Sequence, residues 1–163
     1  QVLYVGPAKM GTLQGMFGVG ALAGALLVAS IPKITRHGVI FIGGCFVTFM
    51  ALLGLGISES YYFSLVALTL LGIGAAGFST MQAAIVVLVA GIDYRGKALG
   101  VVSLAIGTGP FGAIIIGVSA TLLDPGKALI LNSVIGLTSL ALLIFVVPSL
   151  LKIIPLNSHK GVK

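Results

Sequence analysis

Three amide side chains stand inside long apolar stretches of the sequence, where few other groups can form hydrogen bonds. They are Gln14, Gln82 and Asn132. Burying an amide in hydrocarbon without a partner is costly, so a polar residue at such a position is a candidate for function. The chemistry these residues offer is hydrogen bonding to the occupant of a cavity. Gln82 is the stronger candidate, because Asn132 lies near the outer end of its stretch and can reach interfacial water.

Hydroxyl and small side chains form two further stripes at helical spacing. The stripes consist of Thr69, Ala76, Thr80 and Ala83, and of Thr108, Gly112 and Ser119. Each hydroxyl has an alternative structural role, in which it bonds the carbonyl four residues earlier in its own helix. Both interpretations stay open at this point. The candidates for a cavity lining are Gln14, Thr69, Thr80, Gln82, Thr108 and Ser119.

Catalytic chemistry has little support in this sequence. His37 and His159 stand in polar segments without acids or cysteines at ligand spacing, and Cys45 is the single cysteine. The chain has no GxxxxGK[ST] phosphate loop and no plausible Ser/His/Asp set. No Asp, Glu, Lys or Arg lies inside the apolar stretches, so any proton relay must lie elsewhere and a membrane-embedded enzyme is disfavoured. We expect no enzyme, no metal and no cofactor.

The composition indicates the class of protein that positions these groups. The chain has 163 residues, of which 58% are hydrophobic and 7% charged, and its mean hydropathy is +1.24. In soluble domains roughly a quarter of all residues are charged. This chain has too few polar residues to give each helix a polar outer face. The net charge of +6 does not indicate nucleic-acid binding, because the cations are scattered rather than gathered in a patch.

Charged residues cut the sequence into uncharged runs, each of which reaches or exceeds the roughly 20 residues that a helix needs to cross the hydrocarbon core. The runs do not alternate polar and apolar residues as barrel strands do. We therefore predict an all-α integral membrane protein in the lipid bilayer, with a helical bundle over residues 1–151 and a tail at 152–163. The predicted spans are residues 11–31, 38–57, 62–90, 97–123 and 127–151.

Successive spans place their connecting loops alternately on the two sides of the membrane. Lysine and arginine are distributed unequally between these two sides. The richer side contains Lys33, Arg36, Arg95, Lys97, Lys152, Lys160 and Lys163, and the other contains Lys9 and Lys127. Cytoplasmic loops are enriched in these cations. We therefore predict that the richer side, including the tail, is cytoplasmic and that the membrane is the plasma (inner) membrane.

The segment "DYRGK" (93–97) concentrates three charges in a chain that has few. It is predicted to be a tight cytoplasmic turn, in which Asp93 can cap the start of the fourth helix. Arg95 and Lys97 oppose the dipole of that helix, so the enrichment of cations on the cytoplasmic side explains them better than capping does.

Glycine accounts for 24 of the 163 residues, and small residues let membrane helices approach closely. The pairs Gly11/Gly15 and Gly20/Gly24 lie on the first span, and the fourth span carries the ridge Ala105, Gly109, Ala113 and Gly117. Both helices are predicted to pack closely against neighbours. The segment "GTGPFG" (107–112) is predicted to bend the fourth span at Gly109 and Pro110, with Gly112 beside the bend.

Three stretches carry a resemblance to a known family. "GMFGVGALAGALL" (15–27) is similar to the glycine-rich second helix in the C-terminal half of major facilitator superfamily transporters. "GIDYRGKALGVVSLAIGTGPFGAIIIG" (91–117) resembles the family's loop with an Arg-Gly-basic triplet, here Arg95, Gly96 and Lys97, followed by a Gly-Pro-x-Gly centre. "IPKITRHG" (31–38) stands where the family's cytoplasmic signature loop recurs. Within the superfamily, the bacterial drug, macrolide and siderophore exporters are the most similar.

The resemblance implies a fold and a mechanism. The five spans would correspond to the last five of a twelve-helix carrier, with the first, third and fourth next to the central cavity. Transport would be alternating access, in which two halves rock about a midplane site. The partners implied are a small-molecule substrate and a missing N-terminal half. Two departures stand out: residues 31–38 contain no acid for the family's gating ion pair, and Gly91 replaces the usual proline.

Several alternatives remain beside an exporter of amphipathic compounds. A nutrient-uptake carrier of the same superfamily and a non-transporting accessory membrane subunit share the same sequence features. The chain begins at Gln1 in a stretch that resembles the end of a loop. A partial chain is the favoured explanation, and a cleaved signal peptide is the other.

Overall fold

The computed structural model describes residues 6–32, 34, 36–58, 60–90 and 92–147. Of these residues 91% are helical, and no strand occurs among them. Five helical segments are long and apolar enough to cross a membrane. The prediction of an all-α chain with five such segments is therefore confirmed, and the five apolar helices indicate a multi-pass membrane protein.

The helices begin and end close to the predicted bounds. They are α1 (Pro7–Ala29), α2 (His37–Ile57), α3 (Tyr61–Val89), α4 (Arg95–Gly107), α5 (Gly109–Leu123) and α6 (Pro125–Val146), with a short 3-10 turn at Ile92–Tyr94 before α4. α4 and α5 together form the predicted fourth span. The largest differences lie at the start of α1 and the end of α6. The predicted tail, 152–163, lies outside the described residues.

Prolines mark three of the helix starts. Pro7, Pro110 and Pro125 lie in the first turns of α1, α5 and α6. A proline is tolerated there, because the first N–H groups of a helix have no acceptor within it. Asp124 alone connects α5 to α6, and its φ of 83° places it in the left-handed region. α5 and α6 are therefore connected by a single residue.

α3 is the central helix, with α1 on one side and α2 on another. A Cβ built on Gly24 of α1 would lie 2.7 Å from the carbonyl oxygen of Ile73, and one built on Gly20 would overlap the backbone of Thr69. On the other side, a Cβ on Gly44 of α2 would lie 2.7 Å from the carbonyl oxygen of Gly74. Glycine is thus required at these crossings, because backbones touch there.

The order of these contacts gives the helix directions. Gly20 meets Thr69 and Gly24 meets Ile73, so α1 and α3 run parallel, whereas Gly54 of α2 meets Phe63 and α2 runs antiparallel to α3. α6 packs on α2 where Gly56 approaches the Gly126 carbonyl, which makes that pair antiparallel as well. The bundle is thus up-and-down, as the alternation of spans predicted.

The two ends of the bundle carry different numbers of cations. Among the described residues, Arg36, Arg95 and Lys97 lie at one end, called here the Arg95 end, and Lys9 and Lys127 lie at the other, the Lys127 end. The remaining lysines lie outside the described residues. At the Lys127 end, the hydroxyls of Thr12 and Tyr61 are 2.5 Å apart and Lys9 Nζ lies 5.6 Å from the Tyr61 ring. These contacts connect the starts of α1 and α3.

The fourth span changes partner where it is interrupted. α4 packs on α3, and α5 packs on α6. Neither α4 nor α5 contains a buried residue, in contrast to α2, α3 and α6. The interruption at Thr108 therefore lies where the span leaves one neighbour and meets another.

Candidate functional site

A cleft of about 530 Å³ lies where α3 faces the junction of α4 and α5. Its walls bring together two of the six predicted cavity residues, Gln82 on α3 and Thr108 at the junction. The other lining residues are Phe78, Ala105, Ile106, Gly109, Phe111 and Gly112. Two of the three residues predicted to bend the fourth span, Gly109 and Gly112, are thus part of the same cleft.

Gln82 contributes the amide of the cleft. Its side chain is half-buried, and no described residue forms a hydrogen bond with it. An amide has two donor hydrogens and an acceptor oxygen. Because an unpaired amide is costly inside a membrane, a partner that enters the cleft gains by bonding to Gln82.

Thr108 contributes a hydroxyl whose proton is already in use. Thr108 Oγ1 donates to the carbonyl oxygen of Ala105 at 2.6 Å, a local bond to the residue three positions earlier, where the alternative to a cavity role predicted four. A hydroxyl oxygen keeps acceptor capacity when its proton is donated. Thr108 can therefore accept a hydrogen bond from a ligand, while its own proton stays on the helix.

Pro110 explains why the backbone is interrupted beside this hydroxyl. Proline has no N–H, so the bond that residue 110 would donate to the Ile106 carbonyl in a continuous helix is missing. The backbone tightens instead. Thr108 N–H donates to the Ala105 carbonyl at 3.2 Å, and Phe111 N–H donates to the Thr108 carbonyl at 3.0 Å. The predicted bend is thus a single-residue break between α4 and α5.

Two aromatic rings flank the polar groups of the cleft. Phe78 packs against Phe41 of α2, with ring centroids 5.2 Å apart, whereas Phe111 is largely exposed. The lining residues include no acid, base or histidine. The cleft therefore offers an amide, a hydroxyl and apolar surface, which suits an uncharged or weakly polar group.

The other four predicted cavity residues do not line this cleft. Gln14 is exposed on α1, and Thr69 lies at the crossing of α1 and α3, where its hydroxyl donates to the Leu65 carbonyl at 2.9 Å. Thr80 donates to the Ala76 carbonyl at 2.7 Å. Ser119 donates to the Ile116 carbonyl at 2.8 Å and faces α6. Each of these three hydroxyls thus makes a local backbone bond.

Asn132 makes contacts within the bundle that the sequence did not indicate. Its Nδ2 donates to the Ala128 carbonyl at 2.8 Å and reaches Ser119 Oγ at 3.5 Å across the α5–α6 contact. From its place near the outer end of its span, Asn132 was expected to reach interfacial water. Only the pairing of α5 with α6 reveals its partners.

The motif Asp93, Arg95, Gly96 and Lys97, predicted to be a cytoplasmic turn, is exposed. Only Asp93 precedes α4, and the other three residues form its first turn, so the prediction of a turn over 93–97 is wrong for them. The expected cap by Asp93 is not formed, because the 3-10 turn places Tyr94 at the N-cap and no side chain caps α4. Lys97 Nζ instead lies 5.6 Å from the centroid of the Tyr94 ring. The motif therefore presents two cations and an aromatic ring at the Arg95 end.

The small residues of the first and fourth spans have different surroundings. Gly20 and Gly24 lie at the α1–α3 crossing, whereas no described atom comes within 4 Å of a Cβ built on Gly11 or Gly15. Gly109, Gly112 and Gly117 likewise have no described atom within that distance. Close packing of the first span is thus seen against α3, whereas the glycines of the fourth span make no close contact with a described helix.

Two nucleophilic or ligating side chains lie apart from the cleft. Cys45 is a free, half-buried thiol on α2. His37, expected in a polar segment, is 9% exposed at the start of α2, and no described residue bonds its Nδ1. Among the described residues no three His, Cys, Asp or Glu side chains come close enough to hold a metal. The cleft is therefore the candidate site.

No protein-family model, curated protein or solved structure matches the chain in comparisons with known proteins. The chemistry of the cleft has to be inferred from its own residues.

Proposed function

We propose that the chain is part of a secondary active transporter of the major facilitator type, which works by alternating access and exports small amphipathic compounds. The observation that carries this proposal is the cleft, in which the break at Thr108 of a membrane-spanning helix lies beside Gln82, whose amide bonds no described residue. In secondary transporters, substrate sites are typically formed at interrupted helices, where irregular backbone lines a cavity.

The chemistry of the cleft supports an amphipathic compound. Gln82 and Thr108 can fix one polar group, and Phe78 and Phe111 offer apolar surface on either side. Binding sites for small molecules are typically built in this way, with few polar groups on a mostly apolar lining. The absence of ionisable residues from the lining favours uncharged compounds over nutrients that carry a fixed charge, and this is the reason to place export ahead of nutrient uptake.

The small-residue ridge of the fourth span supports the proposal that an N-terminal half is a partner of this chain. No described atom lies within 4 Å of a Cβ built on Gly109 or Gly117 of this ridge. Small residues on a membrane helix serve close helix packing. We place an N-terminal half of the same carrier on this surface, so that the cleft becomes one wall of a cavity between two halves.

The distribution of cations supports the orientation. Arg36, Arg95 and Lys97 at one end outnumber Lys9 and Lys127 at the other. Because Lys and Arg are enriched in cytoplasmic loops, we propose that the Arg95 end is cytoplasmic and that the membrane is the plasma (inner) membrane.

The experiment is efflux of Nile red, an uncharged amphipathic dye, from cells that express the chain together with its N-terminal half. Gln82→Ala and Thr108→Val should each raise the KM for efflux roughly threefold to tenfold, the effect of losing one neutral hydrogen bond. Gln14→Ala, which removes an exposed amide outside the cleft, is the matched control and should leave efflux unchanged. Equal effects of Gln82→Ala and Gln14→Ala would contradict a role for the cleft.

A further inference from the structure

An apolar groove of about 280 Å³ lies between α2 and α3, on a different part of the bundle from the cleft. All of its lining residues belong to these two helices, and all are apolar. Those that form its walls are Phe46, Met50 and Gly54 on α2, and Phe63, Val66 and Leu70 on α3.

The groove lies on the Lys127 side of the point where α2 and α3 cross. Their backbones touch at Gly44 and Gly74, which fixes the crossing point. The groove begins beyond that point and is floored by the small side chains of Ala51 and Ala67, which are 6% and 3% exposed. At its far end, a Cβ built on Gly54 would lie 3.2 Å from the ring of Phe63. The groove is thus a defined slot rather than a general unevenness of the surface.

No other described helix covers the slot. α1 meets α3 at Gly72, and α6 meets α2 at Gly56, and neither glycine lines the groove. The slot is open to the outside, since three of its lining side chains, Phe46, Phe63 and Val66, are 51%, 49% and 59% exposed. α2 and α3 are both long and apolar enough to cross a membrane. The slot is therefore continuous with the surface that these helices present to lipid.

We propose that this slot is a binding site for one acyl chain of a membrane lipid. An apolar cavity of this size excludes water and accepts apolar occupants, and an empty one forfeits the dispersion contacts of its lining. A lipid head group does not fit, because no polar or charged side chain lines the slot to bind it. The acyl chain enters from the leaflet at the Lys127 end, and its shape, not its head group, determines the affinity. This site does not depend on the proposed transport activity.

The chain contains no tryptophan, so a single introduced indole reports on its surroundings. Phe46→Trp places the reporter in the slot, and Phe145→Trp places a matched one on α6, where Phe145 is 84% exposed and outside the slot. Each variant is reconstituted into phosphatidylcholine vesicles with dibrominated acyl chains, which quench indole on contact. The lipid is then replaced by excess unbrominated phosphatidylcholine, and the recovery of fluorescence is followed.

Both reporters should be quenched at first. Recovery at Phe46→Trp should be about tenfold slower than at Phe145→Trp, because tighter binding appears mainly as slower dissociation. Adding Gly54→Leu to Phe46→Trp should remove the slow phase, since the new side chain fills the slot and meets only the ring of Phe63. Equal recovery of the two reporters would overturn the proposal. An unquenched Phe46→Trp would also overturn it, by showing that a protein segment covers the slot. Loss of the slow phase with micromolar Nile red at fixed lipid would show that the slot takes the dye instead.

Discussion

Gly44 of α2 and Gly74 of α3 face each other so closely that a Cβ added to either would lie 2.7 Å from the carbonyl oxygen of the other. Backbone thus meets backbone at the centre of the bundle. Burial of apolar surface from water gives no driving force between helices in lipid, so the association depends on such close packing. The crossing of Gly44 and Gly74 accordingly leaves no room for a side chain.

We therefore expect Gly44→Leu to abolish folding, because backbone atoms cannot move away as a flexible side chain can. Gly43→Leu is the matched control on the same helix, since no described atom lies within 4 Å of a Cβ built there. The measurement is the monodisperse fraction after detergent extraction, by size-exclusion chromatography with fluorescence detection. Similar yields for the two variants would show that the α2–α3 crossing is not as close as described.

Pro110→Ala tests the break in the fourth span. The substitution restores the N–H that can bond the Ile106 carbonyl, so α4 and α5 should join into one continuous helix. A proline inside a continuous helix costs about 3 kcal/mol, and the gain should stay below that value because the local bonds have already adjusted. We expect a higher midpoint of thermal unfolding in detergent, together with weaker Nile red efflux.

Pro125→Ala is the control for this prediction. Pro125 lies in the first turn of α6, where its missing N–H has no intrahelical acceptor to satisfy, so its replacement should give no such gain. A higher midpoint for Pro125→Ala than for Pro110→Ala would contradict the assignment of the break to Pro110.

The break in the fourth span and the number of spans could be predicted from the sequence, whereas the partner of each helix face could not. Charged residues limit the length of each apolar run, and Pro110 lacks a donor wherever it stands, so both features follow from local chemistry. Which neighbour a helix face meets depends on the rest of the bundle. Thr69 and Thr80 belong to the polar stripe predicted on α3, which also carries Gln82. Their hydroxyls bond carbonyls of their own helix, however, and of these three residues only Gln82 lines the cleft.

The contrast between Gly24 and Gly109 shows the same limit. Both stand in small-residue patterns at four-residue spacing. Gly24 lies against the backbone of Ile73, and Gly109 has no described neighbour within 4 Å of a built Cβ. Spacing along one helix identifies a surface suited to close packing but does not specify the helix that packs on it.

Gly109→Leu tests whether the ridge of the fourth span meets a partner. The chain expressed by itself should fold as well as the unmodified chain, because the added side chain meets open space. Association with an N-terminal half should be lost, since the substitution enlarges the surface on which we place that half. Co-purification of an affinity-tagged N-terminal half measures the association. Phe145→Leu on α6 is the control, and retention of the partner by Gly109→Leu would argue against the ridge as the contact.

Cysteine labelling tests the proposed orientation. In a Cys45→Ala background, Ser60→Cys at the Lys127 end should react with a membrane-impermeant maleimide in intact cells. Gly96→Cys at the Arg95 end should react only after the membrane is permeabilised. Labelling of both positions in intact cells would contradict the up-and-down arrangement of the helices, and the reverse pattern would contradict the orientation alone.

Flux through reconstituted vesicles tests whether the chain is one half of a carrier. Nile red export is measured in proteoliposomes that contain the chain alone, or the chain with an N-terminal half of about seven spans, as expected for a carrier whose halves enclose a midplane site. We expect no saturable flux from the chain alone, because it supplies only one wall of the cavity. We expect flux from the combination, reduced by Gln82→Ala and not by Gln14→Ala. Saturable flux from the chain alone would contradict the half-carrier proposal and would identify a small carrier that assembles from copies of itself.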